Sequence, residues 1–127
     1  MFKEFVQTDS PLDFPQRTRR LQWGVLGSAR IARRCVIPAL NRARNGELRG
    51  LARRSEERVQ SLAREHEIPV ACAIYEELLG DPQIEAVYIP LPNHLHLEWT
   101  LRAIRAGKHV LCEKPLALNA AEARAMV

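Results

Sequence analysis

Four short stretches hold the residues whose types and spacing can do chemistry. Near the end of the chain, Glu113-Lys114-Pro115 follows the apolar run Val110-Leu111-Cys112. A lysine at the mouth of a strand donates or accepts a proton when burial or positive neighbours lower its pKa. A surface lysine paired with a carboxylate is the plainer reading of the same residues. Further upstream, Arg53-Arg54-Ser55 offers two guanidiniums and a hydroxyl. Together these can grip a dianionic phosphate through charge-assisted, bidentate bonds, or they are two solvated arginines and a helix cap. Earlier still, Gly27-Ser28-Ala29-Arg30-Ile31-Ala32 is a turn with small residues at its first, third and sixth positions. Such spacing allows a tight bend, backbone approach to a pyrophosphate and close packing of the following helix. An ordinary strand-to-helix turn would use the same residues. Finally, Leu91-Pro92-Asn93 and His96 follow the apolar run that ends at Ile89.

These stretches have to be positioned by the elements between them. Leu21 to Leu26 is an apolar run of the kind buried in parallel sheets. A helix follows from about Arg30 to Arg44, with Ile31, Cys35 and Leu40 facing the sheet and Pro38 kinking it. Asn45-Gly46 stops it, and Glu47 to Ala52 is a second strand. Ser55 caps the next helix, whose first turn carries Glu56 and Glu57 with the correct sign for the helix dipole. Val59, Leu62, Ala63 and His66 share one face of it, His66 as a boundary residue. Pro69 to Ala73 is a third strand, Tyr75 to Leu79 a short helix, and Ile84 to Ile89 a fourth strand. A helix from about His94 to Ala106 has Asn93 as its cap and Leu97, Leu101 and Ile104 as its buried stripe. Gly107 ends it, Lys108 to Cys112 is a fifth strand, and Asn119-x-x-Glu122 is a capping box for a last helix. Strands and helices alternate five times. The fold class is therefore α/β: a doubly wound, Rossmann-like parallel sheet with right-handed crossovers. Such a half-sheet expects a sixth strand, so the chain reads as truncated before it. Residues 1–20 read as an N-terminal arm, irregular through Ser10 to Pro15, and 21–127 as a partial dinucleotide-binding domain.

Composition narrows the function classes. The chain has 127 residues, 46% hydrophobic and 27% charged, with formal net charge +4. No run approaches a membrane span. The basic surplus is a solvated surface or an attraction for anionic ligands. Aromatic residues are 6% of the chain, too few to favour base stacking, which argues against a nucleic-acid binder. Cys35, Cys72 and Cys112 are widely spaced and odd in number, as reduced, buried thiols of a cytoplasmic protein would be. His94-x-His96 lacks a third ligand, so no metal site is read there. The place after the second strand holds no acid to bind ribose hydroxyls. Arg53, Arg54 and Ser55 stand there instead, which favours NADP over NAD.

From Leu21 to Val127 the sequence resembles the N-terminal domain of the glucose–fructose oxidoreductase/inositol dehydrogenase/MocA (Gfo/Idh/MocA) family. Ala106-Gly107-Lys108-His109-Val110-Leu111-Cys112-Glu113-Lys114-Pro115 and Pro92-Asn93 followed by His96 carry the resemblance. Tyr88 to Asn93 with Glu98-Trp99, and Gly27-x-Ala29-x-Ile31-Ala32, look closest to its branch of NADP-dependent D-xylose dehydrogenases and dimeric dihydrodiol dehydrogenases. The resemblance implies that Lys114 is the catalytic lysine, touching substrate and nicotinamide and moving a proton. It implies that Glu113 and Pro115 shape the loop of Lys114, with a Lys114–Pro115 bond that is often cis. Pro92, Asn93 and His96 then lie by the nicotinamide ribose, with Leu91 lining the cofactor cleft beside them, and Tyr75 by the adenine. Gly27, Ser28, Ala29, Arg30 and Ile31 form the cofactor turn, while Arg53, Arg54 and Ser55 discriminate the phosphate. A second α/β domain, absent here, would carry the pocket for a sugar or diol substrate and the surface of a homo-oligomer. This chain alone would then be inactive. The competing expectation is a non-catalytic dinucleotide-binding or regulatory module.

Overall fold

A computed structural model describes residues 19–127. The arm proposed for residues 1–20, with its irregular Ser10 to Pro15, lies almost wholly outside the described residues. Among those described, five strands form one sheet: β1 (Leu21–Leu26), β2 (Gly46–Ala52), β3 (Val70–Cys72), β4 (Ala86–Ile89) and β5 (His109–Cys112). Every pairing is parallel and the order is β3-β2-β1-β4-β5. Chain order reverses between β1 and β4, the place where ligands enter open α/β sheets. Beside β1, Trp23 pairs with Leu48 but Gly24 pairs with Gly50, so Arg49 is an extra residue in β2. Its guanidinium turns to Asp81, Nε to Oδ2 3.5 Å.

Helices cover both faces of the sheet. On one, Val25, Leu48, Leu51 and Tyr88 pack with Ala32, Ile37, Val59 and Leu62. These side chains come from a π-helical turn (Ala32–Val36), α1 (Ile37–Arg42) and α2 (Glu56–Glu65). On the other face Leu26, Ala52, Val87 and Ile89 pack with Leu78, Trp99 and Ala103. Here the cover is α3 (Tyr75–Gly80) and α4 (His96–Arg105); α5 (Ala120–Met126) packs against α4. Gly50 sets how closely α3 can approach. A Cβ there would lie 2.5 Å from Leu78 Cδ1 and 2.9 Å from Ile84 Cδ1. Lys108 closes the turn after α3, its Nζ donating to the carbonyls of Asp81 and Ile84 at 2.7 Å each. No helix among the described residues is long and apolar enough to cross a membrane.

Several local expectations are corrected. Ile31 and Cys35 are exposed, and Ala32 and Ile37 take the inward positions. Pro38 cannot donate to the residue four before it, and its ring crowds that carbonyl. The preceding turn is wound as a π-helix, which moves the inward phase to a five-residue step. Leu40 does pack against the core, and this helix ends at Arg42. Of the three cysteines expected to be buried, Cys72 is, Cys112 is half-buried and Cys35 is exposed.

In α4 the buried face is His96, Trp99, Thr100 and Ala103; Ile104 is exposed and Leu97 and Leu101 are only half-buried. Asn93 is not the cap. It begins a 3-10 turn (Asn93–Leu95) in which the Leu95 N–H bonds the Pro92 carbonyl at 2.9 Å. Ser55 holds the N-cap position of α2, yet its side chain makes no capping bond. At α5, Asn119 Oδ1 accepts from the Glu122 N–H at 2.9 Å, while the Glu122 carboxylate reaches Leu118 N at 3.0 Å, one residue beyond the standard box.

Gly50→Ala is expected to cost about 1–3 kcal/mol through overpacking, read by urea unfolding. Combined with Leu78→Ala, which vacates the crowded space, the two costs should sum to more than the double variant loses. Strict additivity would contradict the close approach of α3 to β2.

Candidate functional site

The C-terminal ends of β1, β2 and β4 open into a cleft of about 600 Å³. Gly27, Ser28 and Ala29 form one wall, Arg53, Arg54, Ser55 and Arg58 a second, and Pro90, Leu91 and Pro92 a third; Tyr75 completes the lining. The backbone ladder continues past the strands to build these walls. Gly27 N–H donates to Ala52 O at 2.8 Å, and Arg53 N–H to Cys72 O at 3.0 Å. Gly27 adopts φ +99°, a conformation that favours glycine. A Cβ there would also lie 2.8 Å from Leu91 Cδ2, across the cleft floor.

Positive charge dominates the cleft. Among the described residues, Arg53, Arg54 and Arg58 have no carboxylate within ion-pairing distance, and no acid lines the cavity. The Arg54 guanidinium lies 5.5 Å from the centre of the Tyr75 ring. That ring meets Trp99 edge-on, with centroids 4.9 Å apart. Burial pushes the Tyr75 phenol up, and the neighbouring Arg54 and Arg53 charges partly oppose it.

The remaining candidates lie outside the cleft lining. Arg30 and Ile31 are exposed at the start of the first helix, and Asn93 is exposed beyond Pro92. Glu113, Lys114 and Pro115 follow β5 on the same rim of the sheet, anchored by Glu113 N–H to Ile89 O at 3.1 Å. The Lys114–Pro115 peptide is cis. Tyr88 donates its hydroxyl to Glu113 Oε2, while Glu113 Oε1 accepts from the Lys114 N–H at 3.2 Å. The Tyr88 bond, above all, holds the Glu113 carboxyl below its usual range, and burial first, then this bond, raises the Tyr88 phenol.

His96 is fully buried, so it does not face the cleft. Its Nε2 lies 2.7 Å from Leu91 O and its Nδ1 2.8 Å from Pro115 O. With both nitrogens so occupied, the pair His94-x-His96 is not arranged to bind a metal. The His96 ring thus links two rim loops, the one at Leu91 and the one at Pro115. Arg58 was not singled out from the sequence. Its signal was a basic residue in the first turn of α2, opposed to the helix dipole and so unexplained by helix stability.

Comparison with known proteins agrees with this geometry. The family model described as "Oxidoreductase family, NAD-binding Rossmann fold" matches residues 21–127. A 1,5-anhydro-D-fructose reductase of Ensifer adhaerens is 50% identical over 106 residues, covering 84% of this chain and 32% of its own. A D-xylose 1-dehydrogenase (NADP(+)) of Haloferax volcanii is 46% identical over 106 residues, covering 84% and 32%. The crystal structure of a 3-ketoreductase from Actinomadura kijaniata, in complex with TDP-benzene and NADP, superposes with TM-score 0.82 at 38% identity. It covers 85% of this chain and 34% of its own. The chain thus spans about a third of the length of these relatives.

Replacing Tyr88 by Phe removes the donor to the Glu113 carboxylate. The Glu113 midpoint, followed by carboxyl-carbon NMR, is expected to move upward toward that of an ordinary glutamate. An unchanged midpoint would contradict the bond.

Proposed function

The chain belongs to the oxidoreductase family with an NAD-binding Rossmann fold, and from that premise we propose that it is the cofactor-binding portion of an NADP-dependent oxidoreductase of the sugar or diol dehydrogenase type. One observation carries the choice of cofactor. Among the described residues, Arg53, Arg54 and Arg58 border a cleft that no acid lines, and the Ser55 hydroxyl beside them is not spent on capping. An acid at the end of β2 would bind the ribose hydroxyls of NAD; guanidiniums there accommodate a 2′-phosphate. The donor set fits a dianion that neutralises otherwise repelling charges.

Placement around the cleft supports the following roles. Gly27, Ser28 and Ala29, with Arg30 and Ile31 behind them, receive the pyrophosphate. The Tyr75–Arg54 pair flanks the adenine end. Leu91, Pro92 and Asn93 shape the nicotinamide side. When bound, the cofactor supplies the hydride chemistry. Lys114, on the same rim, exchanges the proton of the substrate hydroxyl, and Glu113 fixes the backbone of that turn. The substrate is a small molecule, as it is for the named relatives, and its class of sugar or diol rests on family likeness. Association into a homo-oligomer rests on the same likeness. A cytoplasmic location is supported by three cysteines that form no disulfide.

Calorimetry of Arg53→Asp tests this reading. Loss of a charge-assisted contact worth about 1.5–3 kcal/mol should weaken NADP by roughly tenfold to a hundredfold, with a much smaller change for NAD. Equal losses for both cofactors would overturn the phosphate assignment.

A further inference from the structure

His96 sits at the start of α4, buried between the loop that lines the cleft and the turn that carries Lys114. Both of its ring nitrogens face carbonyl oxygens, Leu91 O at 2.7 Å and Pro115 O at 2.8 Å. A carbonyl only accepts, so each nitrogen must donate. A neutral imidazole has one N–H and one bare lone pair. In the neutral ring one lone pair would therefore press against a carbonyl oxygen, an unfavourable contact for a fully buried ring. Only the imidazolium satisfies both contacts. Its charge is opposed by the field of the Glu113 carboxylate. That carboxylate also accepts from the Tyr88 hydroxyl and from the Lys114 backbone N–H. Burying a charge is costly unless it is hydrogen-bonded on every side, and this ring has a partner at each nitrogen.

We propose that His96 is a positioning residue: a buried imidazolium that donates both N–H bonds and thereby clamps the Leu91 loop to the Lys114–Pro115 turn. Leu91 lines the cleft and Pro115 follows Lys114 directly, so the clamp sets the lysine's distance from whatever the cleft holds. β4 and β5 are paired only as far as Ile89 and Cys112. The last backbone bond between them is Glu113 N–H to Ile89 O, and past it the His96 ring is the cross-link. The clamp itself is independent of the cofactor assignment; its consequence for proton transfer rests on the reading of Lys114 given above.

The test uses the 127-residue chain without cofactor, so its failure is separate from a failure of NADP binding. In long-range proton–nitrogen spectra of the labelled chain at pH 7, both His96 ring nitrogens are expected to carry a proton. Exposed His94 and His109 serve as references. A His96 ring with one bare nitrogen would overturn the proposal. As the pH is raised until His96 loses a proton, the amide signals of Leu91 and Asn93 should shift with those of Lys114 and Leu116, at one shared midpoint. In His96→Gln, which offers one donor group and no charge, that joint shift should disappear. Loops that titrate independently, or a joint shift that persists in the variant, would refute the clamp. If the variant does not fold, the two readings on the unsubstituted chain decide the matter.

Discussion

Like charges crowded at a helix start repel one another and oppose the positive end of the helix dipole. Arg54 and Arg58 flank the first turn of α2, and Arg53 stands just before it, yet no carboxylate of the described residues pairs with any of them. Three other arginines do have carboxylate partners. Arg19 meets Glu85 at 2.7 Å, Arg49 meets Asp81, and Arg102 meets both Glu76 and Glu98. Arg53, Arg54 and Arg58 instead converge on one cleft. Three guanidiniums held together repel one another, a cost that an anionic ligand in the cleft would offset.

The sheet supplies the geometry. Parallel strands deliver their carboxyl ends to one rim, and the reversal of order between β1 and β4 leaves a gap there for a ligand. Gly27 keeps the gap open at its floor. The motif that follows α4 divides its labour in the same spirit. Lys108 is a structural staple, spending its ammonium on two carbonyls of the α3–β4 turn. Val110 and Cys112 pack toward the core. Glu113 is tied to Tyr88 and to its own neighbour's N–H. Lys114 is left exposed at the rim. Most of this run is therefore scaffold, with one amine left exposed beside it.

The strands, their alternation with helices and the glycine turn were legible because each has a local cause: short apolar runs, Gly27 before a small-residue step, acids after Ser55. The phase of two helices was not legible. Pro38 was read as a kink, but its effect was a widened turn that exchanged Ile31 and Cys35 for Ala32 and Ile37. In α4, counting apolar residues selected Leu97, Leu101 and Ile104. The buried face instead holds His96 and Thr100, and His96 is admitted to the interior because carbonyls meet its polar atoms. Such tertiary satisfaction of a polar side chain leaves no trace in periodicity. Arg58 was missed for a related reason, since its role depends on which elements meet across the cleft.

The central claim, that one anionic nucleotide occupies the cleft between the Gly27 turn and the arginines of β2 and α2, is tested most directly by following backbone amide signals as NADP is added. The account predicts shifts concentrated at Gly27 to Ala29, Arg53 to Arg58 and Leu91 to Asn93. Gln22, Glu47 and Glu85, at the opposite rim, should stay still. Shifts gathered at that opposite rim, or a saturating titration that leaves Arg53 to Arg58 unmoved, would contradict it.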